Sequence, residues 1–242
     1  MTAQPHLRVE AGDVADVVLL PGDPDRVDRI VEHCDGEGEV LAENREYRVV
    51  NATHEGRPVT VCSTGIGSPS AAIAVEELAA VGAETLVRVG TTGALQRDVD
   101  VGDMVVATGA AKDEGTTGRY ESDTVPAVPD HDVVSALVDA AAAREEAVHV
   151  GPVATDDAFY AETDAYVADW EAAGLLCVEM EAAAIFTLAR RKGLRSGAIC
   201  TVDGNLVTGT QKGASDEGEL PPKARDNVAR AIDIALAAAA VL

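Results

Sequence analysis

Short runs of apolar and β-branched residues recur along this chain, separated by alanine-rich segments whose apolar positions return every three or four residues. The extended runs are Asp16 to Leu20, Tyr47 to Asn51, Pro58 to Ser63, Thr85 to Val89, Met104 to Thr108, Val148 to Ala154 and Gly197 to Val202. Ser68 to Val81, Asp132 to Arg144, Glu181 to Lys192 and Pro222 to Leu242 carry helical spacing and the alanine content that favours helix. Alternation of the two predicts an α/β fold of three layers, with helices on both faces of a sheet. His54-Glu55-Gly56 falls between two extended runs and reads as a hairpin turn, so the sheet is expected to be mixed.

No repeat or linker divides the 242 residues, and 47% of them are hydrophobic, which predicts one domain spanning 1–242 and excludes disorder. Two turn-rich stretches, Asp113 to Pro129 and Leu206 to Pro222, have the length of lids over a site, a solvated insertion being the plainer alternative for the first.

Charge narrows the function classes. Acidic residues number 42 against 19 basic ones, for a net charge of −23, and only four of the nineteen are lysines. Nucleic acid is therefore not expected as a ligand, because binding it needs a basic face that displaces counterions from phosphates. At molar salt the screening length falls to about 3 Å and such self-repulsion fades, so the charge reads as adaptation to a salt-rich cytoplasm, an acidic binding surface being the alternative. Cys34, Cys62, Cys177 and Cys200 lie far apart with no C-x-x-C pair, so buried thiols are expected rather than disulfides or a zinc site. No signal-like start is present and no apolar run approaches the ~20 residues of a membrane span, which predicts a cytoplasmic protein without membrane contact.

Candidate chemistry gathers at strand ends. Leu19-Leu20-Pro21-Gly22-Asp23-Pro24-Asp25-Arg26 leads from a strand into a helix, whose unpaired N–H groups beside the Arg26 guanidinium suit phosphate; an ordinary turn with Arg26 paired to Asp23 or Asp28 is the plainer reading. Cys62-Ser63-Thr64-Gly65-Ile66-Gly67-Ser68-Pro69-Ser70 imitates a dinucleotide-binding turn, but Ser70 stands at the third glycine position and no ribose-binding acid follows the next strand. It reads instead as a close-packed strand-to-helix turn beside an anion site.

Arg88-Val89-Gly90-Thr91-Thr92-Gly93 puts a cation at a strand end before a turn, where burial calls for an anion, either phosphate or a structural carboxylate. Arg45, in Asn44-Arg45-Glu46-Tyr47, also stands at an element boundary. Val178-Glu179-Met180-Glu181 places two carboxylates and a soft apolar side chain where a strand meets a helix, suited to sugar hydroxyls or to simple capping. Asp203, in Cys200-Thr201-Val202-Asp203-Gly204-Asn205, is positioned to donate a proton to a leaving group or merely to start an Asx turn.

Taken together, PGDPDRV, NREY, CSTGIGSPS, RVGTTGAL, VGDMVV, PAVPDHD, DDAFY and VEMEAA resemble, nearly end to end, the nucleoside phosphorylases of the uridine phosphorylase and hexameric purine nucleoside phosphorylase type. The resemblance implies reversible phosphorolysis of a nucleoside to free base and ribose 1-phosphate. It implies subunits paired across their sites and dimers assembled into a hexamer. Gly22, Arg26, Arg88 and Thr91 then correspond to phosphate ligands, with Arg45 supplied across the dimer contact. His6 corresponds to a cross-subunit partner of the ribose 5′-hydroxyl. Glu181 and Met180 correspond to ribose contacts, Glu179 to their support, Phe159 to the face beside the base, and Thr92 joins the nucleoside contacts.

No redox cofactor or metal is implied, inorganic phosphate being a co-substrate. Where family members hold a monovalent cation, it lies near the counterparts of Glu46, Ile66 and Ser70. Uridine-specific relatives carry a glutamine and an arginine soon after the aromatic, whereas Phe159 is followed here by Tyr160-Ala161-Glu162-Thr163-Asp164-Ala165. Purine-cleaving relatives protonate the leaving base with an aspartate that Asp203 resembles. A purine nucleoside is thus the expected substrate, with uridine the alternative, since the wording of STGIG and GTTGA lies nearer uridine phosphorylases. A hydrolytic nucleosidase, an NAD-dependent dehydrogenase and a non-catalytic nucleoside sensor are the rival classes.

Overall fold

The structure, a computed structural model, describes residues 2–209 and 222–242. Strand β1 (Val17–Leu20) is wholly buried and delivers the chain to α1 (Pro24–Val31), where Asp23 caps the helix by accepting from the Asp25 N–H at 3.0 Å and Pro24 occupies the first turn. A meander follows: β2 (Glu39–Asn44), β3 (Tyr47–His54) and β4 (Arg57–Cys62) pair antiparallel in turn. The expected hairpin at His54-Glu55-Gly56 is present. Its two turn residues, Glu55 and Gly56, take φ of 50° and 75°, the double left-handed geometry that suits strand twist.

Helix α2 (Ser68–Val81) stops at Gly82, whose φ of 109° ends it. Strands β5 (Thr85–Ala94) and β6 (Met104–Asp113) precede α3 (His131–Ala143), and β7 (His149–Asp156) precedes α4 (Asp164–Ala172). Then β8 (Cys177–Glu179), α5 (Ala182–Lys192), β9 (Arg195–Asn205) and α6 (Pro222–Ala239) complete the chain.

The nine strands run in the order β2-β3-β4-β1-β5-β8-β7-β6-β9, and β9 returns to pair with β5. Five strands, β5, β8, β7, β6 and β9, therefore close into a ring from which β1 and the meander extend. The sheet is mixed, as expected: β1, β4, β5 and β9 run parallel, while β8 and β6 oppose β5 and β9. One apolar layer packs α2 and α5 on the sheet, and a second packs α1, α3 and α6 on the other side. A third, smaller cluster seats Trp170 of α4 on Leu95, Ala154, Leu175 and Val178.

Several expectations need correcting. β2 and α4 were not foreseen. The segment after Arg88 is not a turn: β5 continues through Gly90, Thr91, Thr92 and Gly93 because β9 pairs with every one of them. Likewise β9 runs through Asp203 to Asn205, and the side-chain turn belongs to Asn205, whose Oδ1 accepts from Val207 and Thr208 N–H at 2.9 Å. The stretch 113–129 is anchored. Glu121 pairs with buried Lys112 at 2.8 Å and with Arg190 at 2.5 Å, and Ala127 bridges Ala110. The other proposed lid, 206–222, lies mostly outside the described residues. Cys62, Cys177 and Cys200 are buried thiols, whereas Cys34 is half-buried. Among the described residues no helix is long and apolar enough to cross a membrane.

Candidate active site

The carboxyl ends of β5 and β9, the end of β8 and the first turns of α1, α2 and α5 surround a cavity of about 790 Å³. Its lining brings together Gly22, Arg26, Arg88, Thr91, Phe159, Glu179, Met180, Glu181 and Asp203. These come from five separate stretches of the sequence.

Arg88 lies at the floor with 4% of its surface exposed. Its Nε lies 2.7 Å from Glu179 Oε2 and its Nη2 is ion-paired with Glu181 Oε2. Burial opposes its charge, but Glu181 and Glu179 outweigh that and hold the guanidinium above its ordinary pKa. Gly90, two residues on and so on the same face of β5, makes the arrangement possible: a Cβ there would stand 2.9 Å from Arg88 Nη2. A guanidinium carries five N–H donors on three nitrogens, and two of the nitrogens face these carboxylates, so an edge of the group is left that can grip an anion. Both readings of Arg88, phosphate ligand and structural ion pair, are thus compatible in one residue.

The two carboxylates divide their work. Glu179 caps α5, its oxygens accepting from Ala182 N–H at 2.9 and 3.0 Å, from Glu181 N–H at 2.9 Å and from the Thr155 hydroxyl at 2.6 Å. Glu181 reaches back to the glycine turn, where Gly67 N–H donates to its Oε1 at 2.6 Å. The anion at the start of α2 is therefore Glu181 itself, the geometry a helix N-terminus favours. Gly65 lets this turn close, since a Cβ would meet Glu46 Cγ and Ser70 Oγ at 2.6 Å. Ser70 Oγ donates to Glu46 Oε1 at 3.1 Å, so Glu46, Ile66 and Ser70 gather at the rim.

Asp203 enters the floor by a bulge. Val202 faces Thr92 and Gly204 faces Gly93, which leaves Asp203 as the extra residue of β9. Such a bulge interrupts the strict alternation of side chains and re-aims one of them. Asp203 is 6% exposed and lines the cavity. Cys200 lies near Arg88 as well, but burial pushes its thiol up to about 12, so it carries no thiolate at neutral pH.

Arg26 stands at the rim on α1, half-buried, and pairs with no described carboxylate. Burial and the neighbouring Arg88 both lower its pKa, with Asp23 only partly offsetting them. Two guanidinium groups thus stand close enough at this edge of the cavity to oppose one another's charge. Phe159, 36% exposed in the 3₁₀ turn Phe159–Ala161, meets Tyr160 edge to face at 5.1 Å and lines the cavity as well.

Three expected residues lie elsewhere. Thr92, next to Thr91 and so facing away from it, is buried and donates to the Val178 carbonyl at 2.6 Å. Arg45 occupies the exposed β2–β3 turn with φ of 60°. His6 is held by Glu77, with Nδ1 2.6 Å from Oε1, beside a second cavity of about 650 Å³.

A model of the phosphorylase superfamily matches residues 16–240. The chain belongs to that family. It is 63% identical over its whole length and the whole length of a guanosine phosphorylase from Halorubrum lacusprofundi. A uridine phosphorylase from Thermococcus kodakarensis is 44% identical, with 85% of this chain and 78% of the relative aligned. Among solved structures, uridine phosphorylase from Vibrio fischeri superposes with a TM-score of 0.89 at 36% identity, covering 100% of this chain and 98% of that one. Within this superfamily member, Gly90 and Thr155 are site-building residues that sequence reasoning passed over. For Gly90 the signal existed, a glycine two places beyond an arginine on one strand. For Thr155 there was none.

Proposed function

We propose that this phosphorylase cleaves purine nucleosides, guanosine and inosine foremost, with inorganic phosphate as the nucleophile. The observation that carries the reading is Asp203, a buried acid bulged out of β9 into the same cavity as Arg26 and Arg88. The full-length likeness to a guanosine phosphorylase supports it. Phosphate held by Arg26, Arg88, Thr91 and the Gly22 turn attacks C1′ as the bond to the base nitrogen breaks. The bonding electrons leave with the base, and Asp203 supplies the proton that neutralises it. Glu181 hydrogen-bonds the ribose and stabilises the positive charge that develops on the ring, an electrostatic contribution that grows toward the transition state. Phe159 and Met180 flank base and sugar. Arg45 and His6 complete a partner's site, since both are surface residues of their own protomer, and dimers so formed assemble into a hexamer. The whole of 1–242 acts as one domain, in a salt-rich cytoplasm, in nucleoside salvage.

Uridine is the second reading, favoured by the names of the archaeal and bacterial relatives. Base release from guanosine, inosine, adenosine and uridine, with and without phosphate in molar KCl, decides. Release of purine only when phosphate is present is expected; release independent of phosphate would mean hydrolysis and overturn the reading.

A further inference from the structure

Thr155 closes β7 on the row that leads to the arginine of the site. It faces Glu179 of β8 in register, and its side chain is fully buried. Its hydroxyl donates to Glu179 Oε1 at 2.6 Å and accepts from Ala183 N–H at 3.0 Å. Neither contact can be reversed, because an ionised carboxylate only accepts and a backbone N–H only donates. The hydroxyl is therefore locked in one orientation. Glu179 is held in turn, with Thr155 and Ala182 on one oxygen and Glu181 N–H, Ala182 N–H and Arg88 Nε on the other. The backbone donors all come from the start of α5. Thr155 is the side chain that grips the carboxylate from β7, and so fixes its rotation relative to the strand ends.

We propose that Thr155 is a positioning residue for phosphate: through Glu179 it sets the orientation in which Arg88 presents its uncommitted N–H groups to the anion. The inference rests on the phosphorolytic reading above. A guanidinium turned out of place holds the anion less well, because a charge-assisted hydrogen bond depends on its geometry. Glu181, though it too is paired with Arg88, has a second anchor in Gly67, so guanosine binding is expected to hold while phosphate binding weakens.

The test uses the full chain carrying Thr155→Val, which keeps the shape and removes the hydroxyl, and Thr155→Ser, which restores it. Initial rates are measured with phosphate varied at saturating guanosine and with guanosine varied at saturating phosphate, alongside thermal melting. The valine variant is expected to raise KM for phosphate about tenfold, the size of one charge-assisted hydrogen bond weakened between Arg88 and the anion, with KM for guanosine unchanged and the serine variant like the parent. Were Thr155 only a cap for α5, melting would fall while the two KM values stayed put or moved together, and the proposal would be overturned. It would be overturned equally if serine behaved like valine. Thr155→Ala gives the same comparison should the valine variant not fold, and a chain that folds only with a hydroxyl at 155 assigns the residue to stability alone. A parent enzyme whose base release ignored phosphate would instead remove the phosphorolytic reading, before any variant is made.

Discussion

The floor and the rim of the cavity solve opposite electrostatic problems. On the floor, Arg88 is enclosed by Glu179 and Glu181, and each carboxylate is bound again by backbone N–H groups of α5 or α2. At the rim, Arg26 is half-buried with no described carboxylate to meet it, and its neighbour Arg88 repels it. The charge on the floor is matched by two carboxylates, and the charge at the rim is matched by no described one. A binding site for an anion needs both, because a preorganised cation costs no reorganisation at the moment of reaction and an unmatched one supplies affinity.

Three substitutions sharpen that contrast or break it. Asp203→Asn keeps the bulge and its size but removes the proton, so kcat for guanosine should fall by about 10²–10⁴ while KM for phosphate holds steady. A variant of undiminished kcat would exclude Asp203 as the acid. Arg88→Ala strands two buried carboxylates and should cost about 3–5 kcal/mol of stability in denaturant unfolding, in addition to phosphate use; a fully stable variant would show the floor to be less closed than its ion pairs indicate. Arg26→Ala should leave stability within about 0.5 kcal/mol and raise KM for phosphate about 10–100-fold, which inverts the Arg88 pattern. Equal damage to stability at both positions would erase the distinction between floor and rim.

Away from the site, Glu121→Gln tests how 113–129 is anchored. Burial raises the Glu121 pKa, but Lys112 and Arg190 outweigh it, so the folded value lies below the usual carboxylate range. The stabilisation is therefore complete above the unfolded pKa of about 4.3 and is lost as pH falls through the folded value. The variant should be about 1–3 kcal/mol less stable at neutral pH, and its deficit should shrink as pH falls below about 4. A deficit independent of pH would mean that packing rather than charge holds the segment.

Much of this was legible in the chain itself, for identifiable reasons. Helix α2 is bracketed by Pro69 and Gly82, and the meander turn carries Gly56 at a left-handed position, so local chemistry marks both. Arg26, Arg88, Glu181 and Asp203 stand out because each ends or follows an apolar run. β2 and α4 escaped because neither shows a buried stripe: β2 has no buried residue, and α4 buries Trp170 alone. Gly90 to Gly93 imitate a turn, and pairing with β9 along all four, joined by β8 at Gly93, keeps them extended. Thr92 reads as a nucleoside contact beside the phosphate ligand Thr91, but adjacent strand residues face opposite ways and Thr92 turns into the protein. Thr155 stayed hidden because its role consists of contacts with residues 24 and 28 positions away.

The ring of strands has one last implication, for how these molecules behave in a crowd. Because β9 returns to β5, the strand left at the end of the order, among the described residues, is β2. That border bears Glu39 and Glu43 and a register break between Val40 and Ala42. Irregular, negatively charged margins are poor templates for another backbone to zip onto. Fibril-like stacking is thereby discouraged even where concentrated electrolyte has silenced long-range repulsion between the acidic surfaces.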